Sequence, residues 1–225
     1  EKLFIKWFEG LLDEATKELM NKPRCGVPDR IRSGSSSIRQ KRHWPKKQLT
    51  YKIKKYTEDM PKSDVDREIA RAFQMWADVT DLAFVHVKNQ SADVDIDILF
   101  VSGEHNGEHG SCNRFDGLGH TLAHAAGPID GGDTHFDEGE TWTLDSGQGT
   151  NLFQLATHEF GHSLGLGHTR HVKMAVMYPY YEYQPDFKLD KDDIEGIQVV
   201  PRLKFNRLKI DSIHFSLNDS YKNAF

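Results

Sequence analysis

The segment HEFGHSLGLGH, residues 158–168, constrains the fold of this chain more than any other stretch. Side chains four positions apart lie on one face of a helix, so His158 and His162 can present two ring nitrogens to one metal ion. His168 would not reach that ion if the helix continued. Gly165 lets the chain leave the helix through a conformation that most residues avoid, and this exit carries His168 back. The spacing therefore predicts a helix over roughly 152–164 and a zinc site of three imidazoles.

Glu159, which follows the first of these histidines, supplies the carboxylate that hydrolysis needs. Catalytic zinc keeps one position for water and lowers the pKa of that water toward about 7. Glu159 would accept a proton from the water as its oxygen attacks a carbonyl carbon, and would then donate a proton to the leaving amine. HExxH alone also occurs by chance, but here it extends to HExxHxxGxxH, and AVMYP follows at 175–179. The whole pattern predicts a zinc endopeptidase with Glu159 as the general base.

The composition is that of a globular protein with a core of its own: 225 residues, 37% hydrophobic and 28% charged. A net charge of -5 argues against nucleic acid and anionic membranes as main partners. The apolar runs are shorter than the roughly 20 residues that span a membrane. The first residues contain neither Met nor the order of a signal peptide, so we expect the native start to lie upstream.

Cysteines and glycosylation sequons bear on the compartment in which the chain works. Cys25 and Cys112 allow one disulfide or none. The sequons Asn89-Gln90-Ser91 and Asn218-Asp219-Ser220 would carry glycans if the chain is secreted.

Three parts follow one another along the chain. Residues 1–42 begin with helical periodicity and end in a Ser-rich basic linker, residues 43–201 have the patterns of a folded domain, and residues 202–225 form a tail. The linker contains R-x-K-R, the pattern that proprotein convertases such as furin cut, at Arg39, Lys41 and Arg42. A solvated basic linker is the alternative, but a position between a helical segment and a domain favours processing.

Within the domain, the segments LTYKI, LAFVHV and VDIDILFV alternate or are β-branched and predict strands. Between them, residues 63–80 have helical spacing, with Ser63 and Asp66 as the N-terminal cap. Residues 103–150 are rich in Gly, His and Asp, and an irregular stretch of this length is usually functional or held together by metals. A final amphipathic helix begins near Asp190.

Several motifs in this order resemble the metzincin metalloproteases and, among these, the matrixins (matrix metalloproteinases). HExxHxxGxxH with a following turn at Met177 is the metzincin signature, PRCGVPD at 23–29 is similar to the matrixin cysteine switch, and Thr169 after the third histidine is also matrixin-like. The resemblance covers most of residues 11–200. It implies an α+β catalytic domain with three helices and a twisted, mixed five-stranded sheet that is mostly parallel with one edge strand reversed. It also implies a secreted zinc endopeptidase of the extracellular space or matrix.

The same resemblance implies that the chain is latent. Cys25 would be an inhibitory fourth ligand of the catalytic zinc, because a thiolate binds zinc well and displaces the water that catalysis needs. Cleavage after Arg42 by a proprotein convertase would release residues 1–42, the end of a propeptide, as in matrixins of the furin-activated type. A disulfide between Cys25 and Cys112 is the alternative.

Further metal sites follow from the resemblance. A structural zinc would be bound by His109, His124 and His135, but Ser111 stands where relatives have an Asp, so His105, Glu108 or Cys112 could substitute. Calcium would be bound at one site by Asp116, Asp137 and Glu140 and at another by Asp95 and Asp133, since hard carboxylate oxygens suit calcium.

Substrate binding and partners follow from the same comparison. TLAHA, with Leu122 and Ala123, would be an edge strand that pairs with an extended peptide, and PYY, with Pro179 and Tyr181, would be the opposite wall. The implied partners are peptide or protein substrates, an activating convertase and endogenous metalloprotease inhibitors. The rival interpretations are another metzincin branch and a zinc-stabilised extracellular binding or developmental protein with little proteolytic role.

Overall fold

A computed structural model of the protein describes residues 13–29, 43–107, 110–111, 114–144 and 149–199. Several sequence-based expectations lie outside the described residues. They are the convertase pattern at Arg39, Lys41 and Arg42, the zinc assignment of His109, the alternatives Glu108 and Cys112, the second sequon at Asn218, and the tail at 202–225.

A mixed sheet forms the framework of the domain. Its strands are β1 (Arg24–Cys25), β2 (Gln48–Lys55), β3 (Ala83–His86), β4 (Ile96–Val101), β7 (Thr121–Ala125) and β8 (Thr134–Asp137). Their order is β1-β7-β8-β4-β2-β3; β2, β3, β4 and β8 run parallel, whereas β7 is antiparallel to β8. This confirms the predicted five-stranded sheet with one reversed edge strand. The sixth strand, β1, comes from the segment before the domain and runs parallel to β7.

Two short ladders lie outside this sheet. One is a hairpin of β5 (Asn106–Gly107) and β6 (Gly110–Ser111), and the other is a parallel pair of β9 (Trp142–Thr143) and β10 (Thr150–Asn151). The region 103–150 therefore contains β7, β8 and these ladders, and is more regular than its composition indicated.

The helices are α1 (Glu14–Met20) before the domain, and α2 (Lys62–Ala77), α3 (Leu152–Ser163) and α4 (Lys191–Val199) within it. The last three confirm the expected helices, and α3 ends one residue before the predicted limit. The predicted cap at Ser63 is wrong. Helix α2 begins at Lys62 after Pro61, whose carbonyl accepts hydrogen bonds from the N–H groups of Asp64 and Val65, so Ser63 already lies in the first turn.

The core lies between the sheet and the pair α2 and α3. The rings of Phe73 and Phe160 stack with their centroids 3.8 Å apart, and the indole N–H of Trp76 donates to the carbonyl of Thr157 at 2.9 Å. Burial of each such side chain stabilises the fold by about 1.5–3 kcal/mol, so this contact fixes α3 firmly over the sheet. In the described ranges, no helix combines the length and the apolar character needed to cross a membrane.

Candidate metal centre

Four side chains converge at α3: Cys25, His158, His162 and His168, here called the helix cluster. Their ligand atoms all lie within 4.8 Å of one another, and the Nε2 atoms of His162 and His168 are 3.0 Å apart. His158 and His162 lie on consecutive turns of α3, as their spacing predicted, and Cys25 enters from β1. The fourth donor therefore belongs to the segment before the domain.

The end of α3 returns the chain to the helix cluster. Gly165 has a φ of 104°, in the left-handed region that favours glycine. The N–H of Gly165 donates to the carbonyl of His162 at 2.8 Å, and that of Leu166 donates to the carbonyl of Gly161 at 2.9 Å. These two bonds close a Schellman turn, which confirms the predicted helix exit at Gly165.

The turn at 175–179 packs directly beneath the same helix. A Cβ atom at Gly161 would collide with the sulfur of Met177 and with the ring of Trp76, so only glycine fits there. The N–H groups of Val176 and Met177 donate to the buried carboxylate of Asp193 at 2.8 and 3.0 Å. Helix α4 thus holds this turn in place through Asp193.

Each imidazole of the helix cluster is oriented through its second ring nitrogen. The Nδ1 atoms of His158 and His162 lie 2.6 and 2.9 Å from the carbonyls of Val176 and Leu166. The Nδ1 of His168 lies 2.7 Å from a carboxylate oxygen of Asp29. Such partners fix the tautomer so that Nε2 is free for a metal. Two of them belong to the domain and the third to the preceding segment.

Burial dominates the electrostatics of the helix cluster. It lowers the pKa of His158 and of His162 to about 3 and that of His168 to about 4, so all three rings are neutral at pH 7, the form that binds metal. Burial also raises the pKa of Glu159 to about 8 and, with the charge of Glu159, raises the pKa of the Cys25 thiol. A cation among these groups would lower both of the latter pKa values.

The donor set and its unpaired atom fit zinc. The Nε2 of His158 is buried and has no hydrogen-bond partner among the described residues, and the carboxyl group of Glu159 is buried beside the Cys25 thiol. Buried polar atoms without partners cost about 1–3 kcal/mol each, and a cation bound by the cluster would remove that cost for the imidazole. Three imidazoles and a thiolate are ligands that zinc prefers.

Residues 23–27 lie in a cleft between β7 and the chain at 179–181. Four main-chain hydrogen bonds of 2.7–2.9 Å hold this segment: Arg24 N–H to the His120 carbonyl, Gly26 N–H to that of Ala123, Cys25 N–H to that of Pro179, and Tyr181 N–H to that of Pro23. A Cβ atom at Gly26 would lie 2.8 Å from the Thr121 methyl group, so the segment lies tightly against β7. The predicted substrate residues Leu122, Ala123, Pro179 and Tyr181 thus belong to two walls that accept an extended chain.

A second group of imidazoles, here called the sheet cluster, comprises His105, His124 and His135. The Nε2 of His124 lies 3.2 Å from the Nε2 of His105 and 3.3 Å from the Nδ1 of His135. Burial lowers the pKa of His124 to about 3 and that of His135 to about 4, so both are neutral and fit a metal. His124 and His135 face each other across β7 and β8. His105 takes the third place in the described structure, and the assignment of His109 stays a prediction.

Three predicted calcium ligands lie around the loop that follows β8. Asp137 accepts hydrogen bonds from the N–H groups of Gly117 and Gly139, and Glu140 accepts one from Gly119. Burial, followed by the charges of Asp137 and Asp116, raises the pKa of Glu140 to about 7. These carboxylates therefore repel one another, and a calcium ion would relieve that repulsion.

The other predicted pair of calcium ligands has separate partners. Asp95 forms an ion pair of 2.7 Å with Lys46 and accepts hydrogen bonds from the N–H and hydroxyl of Thr50. Asp133 accepts a hydrogen bond from the N–H of Asp97 at 3.0 Å. The calcium assignment of Asp95 and Asp133 stays a prediction.

The sequence model of the family named Matrixin matches residues 43–200. The chain belongs to the matrixin family. The predicted family is thereby confirmed; matrixins are metalloendopeptidases that use zinc and calcium, and the helix cluster is a group of side chains that could hold a metal ion.

Matrixins of known name share about half of the aligned residues with this chain. It is 50% identical over 190 residues to the hatching enzyme of Paracentrotus lividus, 50% over 193 residues to the macrophage metalloelastase of Oryctolagus cuniculus, and 45% over 193 residues to the interstitial collagenase of Equus caballus. These alignments cover 84% to 85% of the chain. The chain spans only 31% to 39% of the length of these relatives.

Sequence reasoning missed two matrixin site residues that the structure reveals. Asp29 belongs to the quoted PRCGVPD motif, but only the fold brings it to His168. Gln154, near the start of α3, pairs with the main chain of Gln184 through two hydrogen bonds of 2.7 and 3.0 Å. Gln154 is buried, and its contact ties α3 to the segment 182–192, which only the fold reveals.

Proposed function

We propose that this matrixin is a secreted zinc-dependent endopeptidase of extracellular proteins, captured together with the end of its propeptide. The parts would be the propeptide end at 1–42, the catalytic domain at 43–201 and a tail or linker at 202–225. The observation that carries the proposal is the convergence of Cys25 with three imidazoles beside the buried Glu159.

His158, His162 and His168 would hold the catalytic zinc. When bound, zinc supplies a Lewis acid that polarises water and the scissile carbonyl. Glu159 accepts the proton of the attacking water and donates a proton to the leaving amine. Burial raises the pKa of Glu159 in the metal-free site, and a bound cation would lower it toward the ionised form that accepts a proton. The walls formed by β7 and by residues 179–181 would bind the substrate backbone, which is recognition largely independent of sequence.

Latency would come from the segment 23–29. Cys25 would be the inhibitory ligand, and the four main-chain bonds around it would keep an extended substrate out of the cleft. The guanidinium of Arg24 lies 3.2 Å from Asp29, whose other oxygen contacts His168, so the two ends of the segment are linked across the thiol. The free state of Cys25 supports zinc ligation over a disulfide with Cys112.

Activation would follow cleavage after Arg42 by a proprotein convertase, which recognises Arg39, Lys41 and Arg42. Release of residues 1–42 removes Cys25 and opens the cleft. Endogenous metalloprotease inhibitors are the expected partners of the activated form, and the extracellular space or matrix is its expected location.

The test is a quenched-peptide cleavage assay on convertase-treated wild type and Glu159→Ala. We expect the variant to lose at least about 100-fold in kcat/KM, because the proton acceptor is gone while the zinc ligands remain. Glu104→Ala, an exposed carboxylate away from the cleft, is the matched control. Absence of Glu159-dependent cleavage would instead support the zinc-stabilised binding or developmental protein.

A further inference from the structure

The sequon Asn89-Gln90-Ser91 lies on an exposed turn that follows β3, and the proteolytic site does not use it. The Oδ1 of Asn89 accepts a hydrogen bond from the N–H of Ser91 at 3.0 Å, and the Asn89 carbonyl accepts one from Ala92 at 3.1 Å. None of the described residues accepts a hydrogen bond from the Nδ2 of Asn89. The atom that glycosylation modifies is therefore free, and the turn around it is well formed.

Neighbouring contacts let the turn carry a large group without moving the domain. The side-chain amide of Gln90 donates to the carbonyl of Ile53 at 3.1 Å, which ties the turn to β2. Asn89, Gln90 and Ser91 are all exposed. A glycan on Asn89 would extend into solvent and displace no packed side chain.

The turn crosses β2, which lies inside the sheet. Besides the contact of Gln90 with Ile53, the N–H of Val87 donates to the Tyr51 carbonyl, and the ammonium group of Lys52 donates to the Ala92 carbonyl. In the strand order β2 is separated from β7, the wall of the cleft, by β4 and β8. Three inter-strand spacings of about 4.8 Å place these two strands roughly 14 Å apart. A glycan at this position would leave the substrate cleft and the segment 23–29 accessible.

We propose that Asn89 carries an N-linked oligosaccharide. In the transfer, the bond between C1 of the sugar and the diphosphate of a lipid-linked oligosaccharide breaks, and a bond between C1 and Nδ2 of Asn89 forms. Nδ2 loses one proton, and the lipid diphosphate leaves. The proposal rests on passage of the chain through the secretory pathway, which is part of the proposed function.

The test uses the full chain behind a supplied signal peptide, expressed in eukaryotic cells and collected from the medium. Mass spectrometry after treatment with a glycan-removing amidase in heavy-oxygen water should show Asn89 converted to labelled Asp. Asn89→Gln and Ser91→Ala should both lose this site, whereas Asn218→Gln, the other sequon, should keep it. Secreted wild-type chain with an unmodified Asn89 peptide would overturn the proposal.

A second readout tests whether the glycan leaves the cleft accessible. Glycosylated wild type and Asn89→Gln should cleave peptide with equal kcat/KM after activation. A glycosylated wild type that cleaves much more slowly than Asn89→Gln would overturn the position of the glycan away from the cleft. Cleavage by the same secreted sample and its dependence on Glu159 report on the proposed protease separately, so the two proposals fail by different results.

Discussion

The helix cluster and the sheet cluster each bring three imidazoles together, but the chain holds their rings in different ways. In the helix cluster every Nδ1 lies within 2.9 Å of a carbonyl or carboxylate acceptor. In the sheet cluster the Nδ1 of His105 lies 2.9 Å from the carbonyl of Gly103, whereas the Nδ1 of His124 is buried without a partner among the described residues. The first cluster is oriented before metal binds, and the second depends more on the metal for its order.

The two clusters also differ in what a metal would do there. A carboxyl group, Glu159, is buried beside the helix cluster, and a bound cation would favour its ionised form, which can accept a proton. The sheet cluster joins β7 and β8 to His105, with Phe115 stacked against it, and bound metal would tie these parts together. We therefore expect a catalytic metal at the helix cluster and a structural metal, which stabilises the fold, at the sheet cluster.

Among the substitutions considered, loss of a helix-cluster ligand should reduce the catalytic activity most. In the convertase-treated enzyme, His162→Ala should reduce kcat/KM roughly 1,000-fold or more, because the zinc that activates water is no longer held. Metal analysis should show one zinc fewer, while the far-ultraviolet circular dichroism remains that of the wild type. His171→Ala, an exposed histidine near the cluster, is the control and should keep full activity. Retained cleavage by His162→Ala would place the chemistry elsewhere.

Removal of Cys25, the fourth donor of the helix cluster, should have the opposite effect and increase peptide cleavage by the uncut chain. In an uncleavable Arg42→Ala background, Cys25→Ser should raise peptide cleavage on the order of 100-fold, because a hydroxyl is a much weaker zinc ligand than a thiolate. Cys112→Ser in the same background should stay latent. Activation by both substitutions would instead indicate that the cysteines act together.

Loss of a sheet-cluster histidine should lower the thermal stability of the protein more than its activity. His105→Ala and His124→Ala should each lose one zinc and lower Tm by about 5–10 °C, with cleavage largely kept, because metal binding to the folded state stabilises it. His109→Ala is the matched comparison. Counting back from FDG selects His109, whereas counting forward from the preceding strand selects His105, the residue that the fold brings to the site. Loss of zinc in His109→Ala but not in His105→Ala would reverse that assignment.

The contrast between the clusters also explains what the sequence could predict. The histidines of the helix cluster lie within one eleven-residue segment, so helical spacing and Gly165 were enough to place them. The sheet cluster is assembled from a loop and two strands, and spacing along a loop cannot tell His105 from His109. Strand β8 was hidden because all four of its residues are buried, which removes the alternation of polar and apolar side chains.

Contacts between distant segments were not predictable for the same reason. The contact of Asp29 with His168 joins residues 139 positions apart, and neither side chain indicates the other. The pairing of Gln154 with Gln184 depends on how the chain after the 175–179 turn passes α3. In contrast, LTYKI and VDIDILFV predicted β2 and β4 well, because their residues are β-branched and apolar at the right period.

Asp29→Asn should weaken zinc binding by the helix cluster of the uncut chain, and this effect should be smaller than the loss of a zinc ligand. The substitution keeps the shape of the side chain but removes the charge that orients His168, so zinc should transfer to a chromophoric chelator about tenfold faster from the uncut chain. After convertase cleavage the rate should equal that of wild type, because residue 29 is gone in both. Arg24→Gln separates the ion pair from the histidine contact and should have the weaker effect on zinc release. An unchanged rate in Asp29→Asn would show that this carboxylate does not support the ligand.

The smallest expected effect concerns the carboxylates near the sheet cluster. Their protonation makes the free energy of unfolding depend on pH, and bound calcium should cancel that dependence. The pKa of Glu140 is raised from 4.5 to about 7, so without calcium the folded state binds more protons than the unfolded state between these pH values. The free energy of unfolding then falls as pH rises through this window, and the stability that protonation supplies is lost above pH 7. Calcium binds the ionised carboxylates, so it should raise Tm by about 5 °C more at pH 7.5 than at pH 5, with zinc held constant.

Glu140→Gln tests whether the Glu140 carboxylate causes the pH and calcium dependence of stability. The amide cannot ionise, so the variant should lose both the pH slope and most of the calcium response, and without calcium it should be more stable than wild type at pH 7.5. Glu104→Gln, whose side chain is 85% exposed, should keep the wild-type response and serves as the control. The helix cluster gives an internal comparison, because zinc-dependent cleavage should not follow calcium in this pH-dependent way. A calcium response that is equal at both pH values, or unchanged in Glu140→Gln, would remove Glu140 from the calcium site and leave the acidic loop as a set of carboxylates held only by main-chain hydrogen bonds.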